Sequence, residues 1–267
     1  MPFANFKTIR ALILDMDGVL WRGPQAIGDL PAIFNKIASL EWKVILATNN
    51  ATTTIEQNLT KVASFGVNLE YWQVINSPQV AARHLSHLHP GGGPVYVIGE
   101  EGLIHTLETA GFTHNQEGAL AVVVGMDRNF TYQKLLAATL LIRSGVPLIA
   151  TNTDRTFPIP GGLLAPGAGS LVAALETSSD TRAEVMGKPS PEMYLAALER
   201  LGTSPQETLV VGDRLETDIA GAQAIGCPTA LVLSGVTSLV AAQAWSPPAN
   251  LILPDLTSLV DMASTRQ

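Results

Sequence analysis

Two carboxylates two residues apart, Asp15 and Asp17, stand at the end of the apolar run Leu12-Ile13-Leu14, with Gly18 directly behind them. Such a pair suits two chemical tasks. One carboxylate can attack phosphorus as a nucleophile, and its neighbour can protonate the leaving oxygen and then deprotonate an incoming water. Gly18 lets the chain turn sharply there. The bland alternative is a strand-ending turn, where Asp and Gly are common for conformational reasons alone. Further along, Val44-Ile45-Leu46-Ala47 runs into Thr48-Asn49-Asn50. A hydroxyl and backbone N–H groups after a strand can hold an oxyanion or phosphate, although the same residues also make an ordinary helix cap. Gly187-Lys188-Pro189-Ser190-Pro191 fixes a lysine in a stiff loop, a point charge for a phosphate or a carboxylate; most lysines are merely solvated. Finally, Val210-Val211-Gly212 ends in Asp213, and Asp218 falls one turn into the helix that follows. Asp213 suits a hard cation with oxygen ligands. Acids at a helix start are also favoured by the dipole, which accounts for Glu216 and in part for Asp218.

These residues need a scaffold that converges them. Short β-branched runs alternate with stretches of helical period, which predicts strands over 10–15, Lys43–Thr48, Thr208–Gly212 and 229–233 and helices over 31–40, Pro191–Leu201 and 217–225. Ser190 is expected to cap the second of these helices, with Pro191 at its first position. The alternation implies an α/β fold with a parallel sheet covered by helices. In such sheets reactive groups sit beyond the carboxyl ends of strands, which is where Asp15, Thr48 and Asp213 fall. A second αβ series occupies 77–181, with strands over 95–98, 120–125 and 147–150 and helices over 103–110 and Tyr132–Arg143. Gly91-Gly92-Gly93-Pro94 reads as a flexible turn within it and the polar 176–182 stretch as a return linker. Ala47-Thr48-Asn49 recurs as Ala150-Thr151-Asn152, and only one copy can belong to the core.

Composition narrows the function classes. The 267 residues are 46% hydrophobic, enough for a sizeable core. A net charge of -7 without a Lys or Arg cluster argues against a nucleic-acid polymer as partner. Apolar runs such as 119–124 fall far short of the roughly 18 residues a membrane span needs, and the run 11–14 is too short for a secretory core, so the expected location is the cytoplasm. The sole cysteine, Cys227, forms neither an internal disulfide nor a cysteine metal site and is expected as buried packing. The sequons at Asn50, Asn58 and Asn129 are chance matches in that setting, and His84, His87 and His89 read as surface or cap groups of an amphipathic helix end.

The four reactive segments, in this order, resemble the haloacid dehalogenase (HAD) superfamily. Asp15 and Asp17 match its D-x-D motif, Thr48 its second motif, Lys188 its third, and Asp213 with Asp218 its fourth. Dehalogenases proper lack the second aspartate, so Asp17 points to phosphoryl chemistry. Residues 15–23 read D-M-D-G-V-L-W-R-G and are followed by T-N-N, G-K-P-S-P, G-D-R-L-x-T-D-I and Ser234-Gly235-Val236-Thr237. Those segments look like the NagD and p-nitrophenylphosphatase branch, class IIA. The likeness extends to Val124-Gly125-Met126-Asp127, Tyr132-Gln133-Lys134-Leu135 and Pro166-Gly167-Ala168-Gly169-Ser170.

The resemblance implies a Rossmann-like HAD core, 1–76 and 182–267, carrying a smaller inserted α/β cap, 77–181, with Thr48 in the core and Thr151 in the cap. It implies a Mg2+-dependent phosphomonoester hydrolase for small phosphorylated metabolites: sugar phosphates, nucleoside monophosphates, phosphoglycolate or p-nitrophenyl phosphate. Asp15 would carry an aspartyl phosphate, and Asp17 would act as acid and base. Thr48, Lys188 and the loop N–H groups near Asn49 and Asn50 would neutralise the phosphoryl oxygens. The metal would lie on Asp15, Asp213 and the carbonyl of Asp17, with Asp218 orienting Lys188 or a metal-bound water. Specificity would reside in the cap around Asn152, Asp154 and Phe157; Asn152 and Asp154 serve equally well as turn formers. Phe157 stands where mammalian pyridoxal phosphatases have histidine, which counts against pyridoxal phosphate. The branch often forms homodimers through the cap. A phosphotransferase or mutase would use the same aspartyl phosphate, while a non-catalytic HAD-fold binding module should have lost one of Asp15, Asp17, Lys188 or Asp213, and none is lost. A transport ATPase would need membrane spans.

Overall fold

The computed structural model describes residues 6–159 and 163–266. The chain divides into two compact units, one made of Met1–Thr48, Glu56–Ile75 and Lys188–Gln267, the other of Asn49–Ile55 and Asn76–Gly187. Among the described residues no helix is long and apolar enough to cross a membrane.

The first unit is built on a six-stranded sheet in the order Leu251–Leu253, Thr229–Val232, Thr208–Gly212, Ala11–Leu14, Lys43–Thr48, Val74–Asn76. Ala11–Leu14 runs parallel to both of its neighbours, with Leu14 opposite Val211 on one side and Leu46 on the other. Every residue of Ala11–Leu14 and of Thr208–Gly212 is buried, because helices cover both faces; this is why these strands read as unbroken apolar runs rather than as an alternation. The chain leaves Ala11–Leu14 toward one edge of the sheet and later returns on the other side at Thr208–Gly212. The carboxyl ends of these strands therefore form a topological switch point, the crevice where α/β sheets collect reactive groups.

Local sequence explains the flanking helices. Leu30–Ser39 starts at Asp29, whose side chain accepts from Ala32 N at 3.1 Å, and buries Leu30, Ile33 and Ile37 at helical spacing. Pro191–Leu201 begins on Pro191 and stops at Gly202, which takes the left-handed conformation at φ 66°. The Ser190 hydroxyl, expected as its cap, makes no capping hydrogen bond; the proline already fixes the first turn. The helix expected over 217–225 opens as a π turn, Leu215–Ile219, and only then continues as Ala220–Ala224. Cys227 is free and buried, which pushes its thiol up to about 12.

The second unit carries its own five-stranded parallel sheet, ordered Glu184–Val185, Leu148–Ala150, Val122–Val124, Gly93–Ile98, Phe112–His114. Its core gathers Ile98, Val122, Val124, Leu148, Val172 and Leu175, each adding about 1.5–3 kcal/mol when fully buried. Gly93 and Pro94, expected in a flexible turn, are the first residues of a strand. The expected return linker is partly helix: Ala168–Ser179 runs through it, with Ser179 Oγ donating to Leu175 O at 2.6 Å, and ends at Asp180 in the left-handed region. The short segment Asn49–Ile55 is tied into this unit by Asn152 Nδ2 donating to Asn49 O at 2.8 Å and by Gly102 N donating to Thr52 O at 3.3 Å.

Candidate active site

Three adjacent strands deliver Asp15, Thr48 and Asp213 to one edge of the first unit's sheet, and the Asp15 N–H extends the ladder by donating to Val211 O at 2.9 Å. Lys188 enters from the loop before Pro191–Leu201. Its ammonium donates to Asp15 Oδ1 at 2.5 Å, Asp218 Oδ1 at 2.7 Å and Ala47 O at 3.0 Å, which directs all three of its protons. The Lys188 and Asp218 side chains are almost wholly buried, and that of Asp15 is 13% exposed. Burial alone would pull the lysine down, but Asp15 and Asp218 outweigh it and hold the ammonium well above its ordinary value. Asp15 is raised well above the usual carboxylate range by burial and by the charges of Asp218 and Asp213, against the pull of Lys188. Asp213 is raised to about 6, mainly by burial and then by Asp218. One ammonium thus faces three carboxylates, and one oxygen from each lies within 4.8 Å of the other two.

That excess of negative charge calls for a second cation, and Asp213 is prepared for one. Its Oδ2 accepts from Val236 N at 2.8 Å, and Thr237 Oγ1 donates to its carbonyl at 2.5 Å. Among the described residues its buried Oδ1 has no hydrogen-bond partner, a costly state unless a ligand completes it. The carboxylate lies in a cradle of glycine: a Cβ on Gly18 or Gly235 would stand 2.5 Å or 1.9 Å from Asp213 Oδ2. Gly18 also needs φ +88°, which side-chain-bearing residues rarely adopt. A few buried carboxylate oxygens, one of them unpaired, fit a small hard divalent cation such as Mg2+. Asp218 is anchored from behind. Its Oδ2 accepts from Arg214 N at 3.1 Å, and the buried Tyr194 hydroxyl donates to Thr217 O at 2.9 Å and Asp218 O at 3.2 Å, bracing the π turn.

Asp17 takes another environment. It is exposed, its carboxylate lies outside the three-carboxylate group, and its Oδ1 accepts from the indole N–H of Trp21 at 2.8 Å. Trp21 begins a short hairpin, Trp21–Arg22 with Gln25–Ala26. The Arg22 guanidinium donates to Ser234 O, and Ser234 Oγ donates to Gly18 O at 2.7 Å. Sequence reasoning gave no role to Trp21, quoted only within the segment 15–23, and missed Tyr194, which sits among apolar residues that read as core. The Ser234-Gly235-Val236-Thr237 segment drew notice only through resemblance; its geometry shows a clamp on Asp213 and the Gly18 turn.

The remaining candidates belong to the second unit. Asn50 Oδ1 accepts from Thr52 N at 2.9 Å and from the Thr52 hydroxyl at 2.7 Å, a local turn. Asn49 gives its carbonyl to Asn152 Nδ2 and to Ser77 Oγ, and its side chain donates to Asp154 Oδ2 at 3.3 Å. Asn152 Oδ1 in turn accepts from Asp154 N at 3.1 Å. Asn49, Asn152 and Asp154 therefore form one network that shapes the loop. Phe157 is half-buried in a hairpin, opposite Ala165. Of the second-unit segments marked by resemblance, Asp127 is buried, pairs with Lys134 Nζ at 2.6 Å and caps Asn129 N at 2.8 Å.

Comparison with known proteins gives the family. The family described as haloacid dehalogenase-like hydrolase matches residues 9–226. The 5'-nucleotidase YutF of Bacillus subtilis is 36% identical over 231 residues, 86% of this chain and 90% of the relative. Among solved structures, a p-nitrophenyl phosphatase from Archaeoglobus fulgidus superposes with a TM-score of 0.89 at 30% identity, covering 95% of this chain and 99% of that one. NagD from E. coli K-12 gives 0.84 at 32%, covering 93% and 97%. A glycerol phosphate phosphatase from Mycobacterium tuberculosis in complex with magnesium gives 0.86 at 32%, covering 97% and 78%.

Proposed function

This chain belongs to the haloacid dehalogenase-like hydrolase family, as a phosphatase of its NagD and p-nitrophenylphosphatase branch acting on small phosphorylated substrates, and we propose that it works through an aspartyl phosphate on Asp15 with Mg2+ as cofactor. The observation that carries the reading is the junction at Asp15: a carboxylate at a strand end, bonded to a buried ammonium and facing an acid whose second oxygen has no partner.

Lys188 orients the attacking oxygen of Asp15 and, with the Thr48 hydroxyl, neutralises charge on the phosphoryl group. Asp15 attacks phosphorus in line; the ester P–O bond breaks, and its electron pair leaves with the alcohol oxygen, which takes a proton from Asp17. Asp17 then removes a proton from water, which attacks the aspartyl phosphate, releases inorganic phosphate and restores Asp15. Asp218 keeps Lys188 in place from the far side. Mg2+ bound by Asp15, Asp213 and the Asp17 carbonyl would supply positive charge against the phosphoryl oxygens as they are transferred. Substrate choice is assigned to the second unit's loop bearing Asn152, Asp154 and Phe157. The similar proteins are named for a nucleotide, an aryl phosphate and glycerol phosphate, which supports a preference set outside the phosphoryl site.

The test is phosphate release from p-nitrophenyl phosphate, sugar phosphates, nucleoside monophosphates, phosphoglycolate and pyridoxal phosphate, with Mg2+ or EDTA, beside Asp15→Asn. Turnover that requires both Mg2+ and Asp15 supports the reading. Turnover that survives EDTA or Asp15→Asn overturns the proposed mechanism.

A further inference from the structure

We infer that Trp21 is a positioning residue for the acid and base carboxylate: its indole N–H holds Asp17 by Oδ1 and so reserves Oδ2 for the proton that passes to the leaving group. The inference rests on the reading of Asp17 as acid and base given above.

Asp17 is exposed, and an exposed aspartate samples several rotamers, whereas proton transfer needs a heavy-atom approach of roughly 2.6–3.2 Å. Something must therefore restrict it. The indole N–H lies 2.8 Å from Asp17 Oδ1. It is a donor only, so Oδ1 must act as acceptor whether or not the carboxyl carries its proton, and the acid form keeps that proton on Oδ2. The donor is itself fixed. Trp21 is 1% exposed, its ring stacks on Phe65 at 5.8 Å, its carbonyl accepts from Gly18 N at 2.7 Å, and the Lys61 ammonium covers the ring at 4.3 Å. A catalytic group held by a partner that packing has locked in place is preorganised.

The plain alternative is that a buried tryptophan simply satisfies its own N–H. The two readings part at the first chemical step, where only a positioning role gives the bond a consequence. As Asp15 bonds to phosphorus and the ester P–O bond breaks, the Asp17 Oδ2 proton moves to the departing oxygen. The carboxylate that results keeps the Trp21 N–H on Oδ1, which steadies the new charge.

The experiment compares kcat/KM for p-nitrophenyl phosphate and for glycerol phosphate in the wild type, Trp21→Phe and Asp17→Asn. This ratio reports steps only up to leaving-group departure. A nitrophenolate departs without a proton, while an alkoxide needs one. Trp21→Phe keeps the stacked ring and removes the N–H, so kcat/KM for glycerol phosphate should fall at least ~10-fold more than for p-nitrophenyl phosphate. Equal loss on both substrates, or no loss on either, overturns the inference. Should Trp21→Phe not fold, benzothienylalanine at position 21, which exchanges only N–H for sulfur, decides by the same criterion. Asp17→Asn separates the two layers. If it shows no leaving-group dependence, the acid role of Asp17 fails and the inference with it. If it shows that dependence and Trp21→Phe does not, only the role of Trp21 falls.

Discussion

With Lys188 replaced by methionine, Asp15 and Asp218 would confront each other across the space its ammonium now fills, at 2.5 Å and 2.7 Å from the two carboxylates. A hydrophobic side chain of similar length preserves packing, so the change isolates charge. Two opposing terms decide its size. Lys188 is removed from water at a desolvation cost, but the carboxylates it serves are already buried and would be left uncompensated, which in general costs about 3–5 kcal/mol. At the ammonium itself burial opposes the charge and the two carboxylates outweigh it, so the loss of their shared partner is the larger change for the carboxylates. Urea unfolding of metal-free Lys188→Met should therefore show a loss of that order, with added Mg2+ recovering part of it. A variant as stable as the wild type would mean that the pair is neutral in energy and that Lys188 serves chemistry alone.

At the scale of elements, the strand-then-turn unit explains why so much of the site could be read in advance. A parallel strand buried on both faces must be apolar without interruption, so a carboxylate at its end stands out, as Asp15 and Asp213 do. What holds those acids in place was not legible, because it comes from segments distant in the chain. Nothing local to Ser234-Gly235-Val236-Thr237 says that it grips Asp213, and two-residue strands such as Trp21–Arg22 carry no periodicity. Tyr194 occupies an ordinary apolar face of its helix while its hydroxyl reaches across to the π turn. Polar composition misled over 176–182, where serine hydroxyls turn back onto helix carbonyls and allow the helix to persist. Gly235 gives this scale its prediction. A methyl there would stand 1.9 Å from Asp213 Oδ2, so in Gly235→Ala either the loop or the carboxylate must move. Mg2+ affinity, measured by calorimetric titration, should fall about 10–100-fold, as it does when a metal ligand loses its supporting shell, with little change in circular dichroism. Unaltered Mg2+ binding would show that Asp213 is not held for a metal.

For the whole molecule, the confinement of the acids and the lysine to one unit predicts where magnesium acts. Asp15, Asp17, Lys188, Asp213 and Asp218 all lie in the first unit, and two strands of its sheet run directly into Asp15 and Asp213, the two carboxylates that would hold the ion. The second unit has a separate parallel sheet and a separate hydrophobic cluster, which is the structural condition for opening as a cooperative block of its own. A ligand that binds only the closed form of one block slows opening of that block by the factor 1 + [L]/Kd, about 100-fold at a hundred times Kd, or about 2.7 kcal/mol. Hydrogen exchange followed by mass spectrometry with saturating Mg2+ or with EDTA can read this peptide by peptide. Amides of Ala11–Leu14 and Thr208–Gly212 should be protected by magnesium toward that limit, while those of Gly93–Ile98 and Val122–Val124 keep their metal-free rates. Equal protection in both sheets would show instead that the chain opens as one cooperative body, so that stabilising the catalytic sheet stabilises the inserted unit as well.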